Sequence, residues 1–182
     1  QQIEAARTGY PYIDAIITQL KTQGWIHHLA RHSLACFITR GHLFLSWEIG
    51  AKLFQKYLID IDDILNYGNW MWLSASCYFY QYFRIYSPIT FGQKTDKEGL
   101  YIKKWLPQFE KVNNSKKIYL PLDQSGLTIE NYVKSPMIQH NKEILNRNKS
   151  WMAQAYSKHK EKKGKKKAEK TSSITKKRKR ST

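Results

Sequence analysis

Apolar residues recur at helical spacing from the start of the chain. In "RTGYPYIDAIITQLKTQG", Ile13, Ile16, Ile17 and Leu20 share one face. Thr8 suits a cap, Pro11 the first turn, Asp14 the positive end of the helix dipole, and Gly24 the left-handed residue that ends a helix. A second helix is predicted from about Trp25 to Arg40. At 100° per residue, His27, Arg31, His28 and His32 fall within about 140° of arc, with Ile26, Leu29, Ala30, Leu34 and Phe37 around the other side.

The pattern continues as "SWEIGAKLFQKYLI", a helix with Ile49, Leu53 and Leu58 predicted inward. Asn66, Gly68 and Asn69 predict a turn, and Trp70 to Tyr86 a further buried helix. "FGQKTDKEGLYIKKWLP" predicts a polar loop and a short amphipathic helix. A last helix follows, with Ile144, Leu145, Trp151, Met152 and Ala155 on one face. No strand of useful length and no internal repeat stands out, so the predicted class is all-α.

Composition divides the chain. Of the formal +17 carried by its 182 residues, +11 lies between Lys158 and Thr182, where thirteen Lys/Arg face only Glu161 and Glu169. Residues 1–157 are therefore expected to be one helical unit and 158–182 a disordered basic tail. Lys176 to Arg180, five consecutive cations, predicts nuclear import or a nonspecific nucleic-acid patch, with a solubilising tail as the plainer alternative. Cys36 and Cys77 form no paired framework, which fits a reducing compartment, and no apolar run reaches the roughly 18 residues of a membrane span. The chain opens on Gln1 rather than Met, and a fragment is the expectation.

The candidate chemistry centres on "GWIHHLARHSLAC". A guanidinium on so apolar a helix calls for a carboxylate from elsewhere, and Asp60, Asp62 and Asp63 are available. His28 and His32, four apart, resemble a zinc pair, but Leu29 stands where a metalloprotease has Glu and Arg31 repels a cation, so no metal is predicted. Hydrogen-bonded core imidazoles and a proton-transfer pair both remain open. Trp47, Trp70 and Trp72 suit a core, a stacking platform or an electron relay.

"TGYPYIDAIITQL", "GWIHHLARH", "SWEIG", "DIDDILNYGNWMWLSAS" and "YFRIYSPITFGQKTDKEGLYIKKWLP" occur in this order. Together they resemble the flavin-binding domain of the cryptochrome/photolyase family. The resemblance implies FAD as cofactor, Arg31 and Asp60 as an ion pair beside the flavin, Asp62 as a carboxylate contacting it, and Asn66 facing flavin N5. It further implies Trp70 and Trp47 as successive electron relays and Arg84 as a DNA contact. Lys94 and Lys97 lie on a loop suited to holding DNA phosphates, with a merely solvated loop the plainer alternative. His28 and His32 resemble the histidine pair of (6-4) photolyases and animal-type cryptochromes, where an imidazole supplies a proton.

The implied activity is light-driven repair of (6-4) photoproducts in UV-damaged DNA. The alternative is a cryptochrome acting as a photoreceptor or through clock transcription factors. A monomer located in the nucleus, with the cytoplasm secondary, is expected. Ile3, Phe44 and Leu122 stand where the family often carries tryptophan. The antenna domain and the FAD phosphate site are expected upstream of Gln1.

Overall fold

The computed structural model describes residues 1–77 and 85–178, with side chains described through Lys162. The first helix, α1 (Pro11–Gln23), buries Ile13, Ile16, Ile17 and Leu20 as its spacing predicts, and Gly24 ends it at φ 66°. Thr8 does not cap it; Tyr10 occupies that position without a side-chain bond. Thr8 works instead on Asp14, which is fully buried and receives Thr8 N–H at 2.9 Å, Thr8 Oγ1–H at 2.7 Å, Gly9 N–H at 3.1 Å and Tyr132 O–H at 2.5 Å. Burial pushes this carboxyl above its ordinary range, opposed by the four donors.

Two further bonds fasten the same end of α1 to distant chain. Thr8 carbonyl accepts from Met137 N–H at 2.9 Å, and Tyr10 O–H donates to Ile138 carbonyl at 2.7 Å.

The second helix is shorter than its apolar spacing predicts. Residue His27 is extended at φ −59°, ψ 149°, so α2 runs His28–Cys36 and passes into a π-helical turn, Phe37–Gly41. Next come α3 (Trp47–Tyr57) and α4 (Asp63–Leu73), which pack closely on each other. In α3 the buried positions are Gly50, Ala51 and Phe54, while Ile49 is half exposed, contrary to its predicted inward position. Gly50 is the point of closest approach. A Cβ there would stand 2.0 Å from the Trp70 ring, so the indole lies directly on the α3 backbone.

The turn predicted at Asn66–Asn69 is helix. Asp62 caps α4 by accepting Leu65 N–H at 2.8 Å. Asn66 and Asn69 spend their amides on Ala51 and Leu65 carbonyls rather than on a local turn. This helix ends at Leu73 instead of beginning at Trp70. The remainder of the predicted Trp70–Tyr86 helix runs into residues 78–84, outside the described residues.

Short elements complete the unit: α5 (Thr90–Thr95), part of which was expected as loop, α6 (Leu100–Trp105), two 3-10 turns and α7 (Leu122–Ser125). The long α8 (Lys142–Arg178) docks through Ile144, Leu145, Asn148 and Met152; Trp151 is partly exposed and Ala155 exposed. Its backbone continues through the segment where composition predicts disorder. No strand occurs among the described residues, and none of their helices is long and apolar enough to cross a membrane.

Candidate flavin site

The cavity beside α2 and α4 encloses about 590 Å³, within the usual range for a small-molecule site. Seven of the residues singled out in the sequence line it: His28, Arg31, His32, Asp60, Asp62, Asn66 and Trp70. Trp25, Leu58, Ile61 and Leu65 supply apolar wall.

One backbone bond assembles it. Ile59 N–H donates to Gly24 carbonyl at 2.9 Å, tying the α3–α4 connection to the turn before α2. Asp60 follows and meets Arg31, whose Nη2 lies 3.0 and 2.7 Å from the two carboxylate oxygens. Arg31 Nε donates to Ile26 carbonyl at 2.9 Å, which orients the guanidinium. The pair is not buried as the apolar helix suggested, since the side chains are 27% and 44% exposed. Bulk water still screens it, so its own contribution to stability is small.

Asn66 is buried, and its Nδ2 donates to Ala51 carbonyl at 3.1 Å, leaving Oδ1 for a donor in the cavity. Asp62 lines the wall but holds the α4 cap through Oδ1. The Trp70 ring is 2% exposed, and its Nε1 has no hydrogen-bond partner among the described residues. His32 packs between aromatic edges, 4.3 Å from Tyr86 and 6.2 Å from Trp72, centroid to centroid. The His28 ring lies 4.3 Å from that of His27, tilted by 42°, and is exposed at the cavity.

The remaining predicted residues lie elsewhere. Trp47 begins α3 outside the cavity wall, with its ring edge-on to Tyr67 at 5.9 Å. Lys94 lies in the last turn of α5 and Lys97 in the turn that follows it, both exposed and away from the cavity lining. Arg84 lies outside the described residues. Ile3 packs against the core, Phe44 sits edge-on to Trp151 at 5.0 Å, and Leu122 is buried.

Sequence reasoning missed Tyr67, whose hydroxyl accepts from Gln55 Nε2 at 2.7 Å, because a tyrosine inside a predicted turn carries no periodic signal. It also gave His27 no separate part, although the helix start at His28 marks it as a cap.

The residues fit a flavin ring. A flat heteroaromatic with edge donors and acceptors needs an apolar slot, a fixed cation with its counter-ion, and an amide acceptor. Trp70 and Leu58, the Arg31–Asp60 pair, and Asn66 Oδ1 supply these in turn.

The comparisons agree. Residues 1–159 match the family described as the FAD binding domain of DNA photolyase. A (6-4) DNA photolyase of Oryza sativa is 61% identical over 101 residues, covering 56% of this chain and 18% of that protein. Cryptochrome-2 of Gallus gallus is 53% identical over 115 residues, covering 63% and 20%. An archaeal photolyase from Sulfolobus tokodaii, solved with two FAD molecules, superposes with a TM-score of 0.71 at 30% identity, covering 82% of this chain and 33% of that one. The matched region is thus about a fifth of those curated relatives' length. From fold, cavity and likeness together, the chain belongs to the FAD-binding domain family of DNA photolyases and cryptochromes, and FAD is its cofactor.

Proposed function

We propose that this chain is part of a light-driven (6-4) photolyase acting on UV-damaged DNA. The observation that carries the reading is that His28 and His32 line one cavity together with Arg31, Asp60 and Asn66. The identity over alignments of 101 residues, 61% to a (6-4) photolyase against 57% to Cryptochrome-1, supports it.

When bound, FAD supplies the photoexcited electron. Arg31, oriented by Ile26 and Asp60, places a fixed positive charge beside the flavin. Asn66 Oδ1, left open by the bond of its Nδ2 to Ala51, would accept a hydrogen bond from the flavin. An imidazole of His28 or His32 gives a proton to the lesion base, which is flipped out of the duplex into the cavity. The aromatic edges of Tyr86 and Trp72 limit rotation of His32. Trp70, in the cavity wall, and Trp47, at the start of α3, would relay electrons for photoreduction. Lys94 and Lys97, on an exposed segment, hold phosphates, and Arg84 contacts the DNA. The protein works as a monomer in the nucleus, with the cytoplasm a secondary location.

The test is illumination of the reduced full-length protein with DNA carrying a (6-4) lesion, scoring restored bases. No repair with FAD bound overturns the reading. The second reading is a cryptochrome that uses the same cavity for signalling or for binding clock transcription factors, favoured by the likeness to Cryptochrome-2. Capture of those factors without lesion binding would establish it instead.

A further inference from the structure

Helix caps are usually serine, threonine, aspartate or asparagine. The cap of α2 is an imidazole. His27 Nδ1 accepts Leu29 N–H at 3.2 Å, while the His27 carbonyl accepts Ala30 N–H at 2.9 Å and Arg31 N–H at 3.1 Å. The first turn of α2 therefore hangs on one residue from both its side chain and its backbone. The same ring lies 4.3 Å from the ring of His28 and forms part of the cavity wall.

An accepting Nδ1 carries no proton, so this geometry requires the tautomer with its proton on Nε2. We propose that His27 is a positioning residue: neutral, it caps α2 and holds His28 at the cavity, and on taking a second proton it releases that cap and the first turn with it. The inference rests on the reading of His28 as a proton donor.

Chemistry and surroundings point the same way. A protonated Nδ1 would face Leu29 N–H, donor against donor, and would set a cation at the positive end of the helix dipole. The charged and titratable groups sharing the cavity wall are His28, Arg31 and His32 on α2 and Asp60 and Asp62 on the α3–α4 connection; α4 contributes only the uncharged Asn66 and Asn69. Asp60 is engaged by Arg31, and Asp62 by the α4 cap. No carboxylate forms an ion pair with His27 among the described residues. His28, its ring tilted against that of His27, makes no cap hydrogen bond of its own.

The experiment is amide exchange and imidazole nitrogen NMR on the full chain from pH 8 to pH 5, with exchange corrected for its intrinsic pH dependence. In the wild type, protection of the Leu29 amide should fall at least tenfold as the His27 ring gains its second proton, and the His28 ring signal should move in the same step. In His27→Asn, whose amide oxygen caps without titrating, Leu29 protection should stay level and the step shared with the His28 ring signal should vanish. His27→Ser serves the same purpose should the asparagine variant fail to fold. Level Leu29 protection in the wild type, or an identical fall in the cap-competent variants, overturns the proposal. These signals are read without flavin or lesion, so a failure of repair activity overturns the repair reading alone.

Discussion

The carbonyl of Gly24 and the amide of Ile59 meet at 2.9 Å, and a Cβ on Gly24 would stand 2.7 Å from Ile59 Cγ2. That close approach places Asp60 next to Arg31, so the geometry of the site depends on a residue that touches nothing in the cavity. Gly24 also ends α1 at φ 66°, a conformation that side chains resist.

Gly24→Ala should therefore cost about 1–3 kcal/mol, from strain at positive φ and displacement of Ile59. Urea denaturation measures it. The same variant should bind FAD more weakly in the full-length protein, because the Arg31–Asp60 contact shifts with Ile59.

Asp60→Ala separates stability from cofactor binding. With both partners partly solvated, its effect on unfolding should be at most about 1 kcal/mol. Flavin should nevertheless be lost from the full-length protein, whereas His32→Ala should retain flavin and abolish repair. Absorbance in the flavin band distinguishes the two, and full flavin retention by Asp60→Ala would disprove the assigned role of the pair.

A second histidine pair sets a pH dependence remote from the cavity. His42 Nε2 and His140 Nδ1 lie 2.7 Å apart, and His140 Nε2 lies 3.1 Å from Ser87 Oγ. Burial, then the neighbouring His140, push His42 down to about 3; burial lowers His140 too. A histidine depressed in the folded state binds its proton more readily when unfolded. Its stabilisation is complete above the ordinary imidazole range and is lost as pH falls from about 6.5 toward 3. Between pH 7 and 5 the loss from His42 should be about 2 kcal/mol, and His42→Gln should flatten that part of the stability profile. Denaturant midpoints across pH, compared between the two proteins, provide the check; the opposing shift of Asp14 is common to both.

Deleting Lys176–Arg180 should move a fluorescent fusion from nucleus to cytoplasm while lesion repair in vitro persists. An unchanged nuclear signal would exclude the import role of these cations.

The helical period alone brought His28, Arg31 and His32 to one face, since neighbours on a wheel are dictated by spacing. Asp60 was legible only as a demand for charge, because the bond from Ile59 to Gly24 that delivers it is a tertiary contact. The start of α4 was hidden by Asn66, Gly68 and Asn69, whose turn propensity yields to the Asp62 cap and to packing on α3. Ile49 was misplaced for a similar reason: α3 approaches Trp70 through Gly50, and a residue without a side chain leaves no trace in a hydrophobic pattern. The His27 cap was concealed because an imidazole oxygen-substitute at a helix start is not among the residues that normally signal one.

The bond from Tyr132 to Asp14 spans 118 positions of sequence, the bond from Tyr10 to Ile138 spans 128, and the bond from Met137 to Thr8 is of similar reach. Closing so wide a loop is entropically slow, while α1 to α4 assemble through contacts between near neighbours. The order of assembly follows: the walls of the cavity form first and the stretch around Tyr132 docks onto them last.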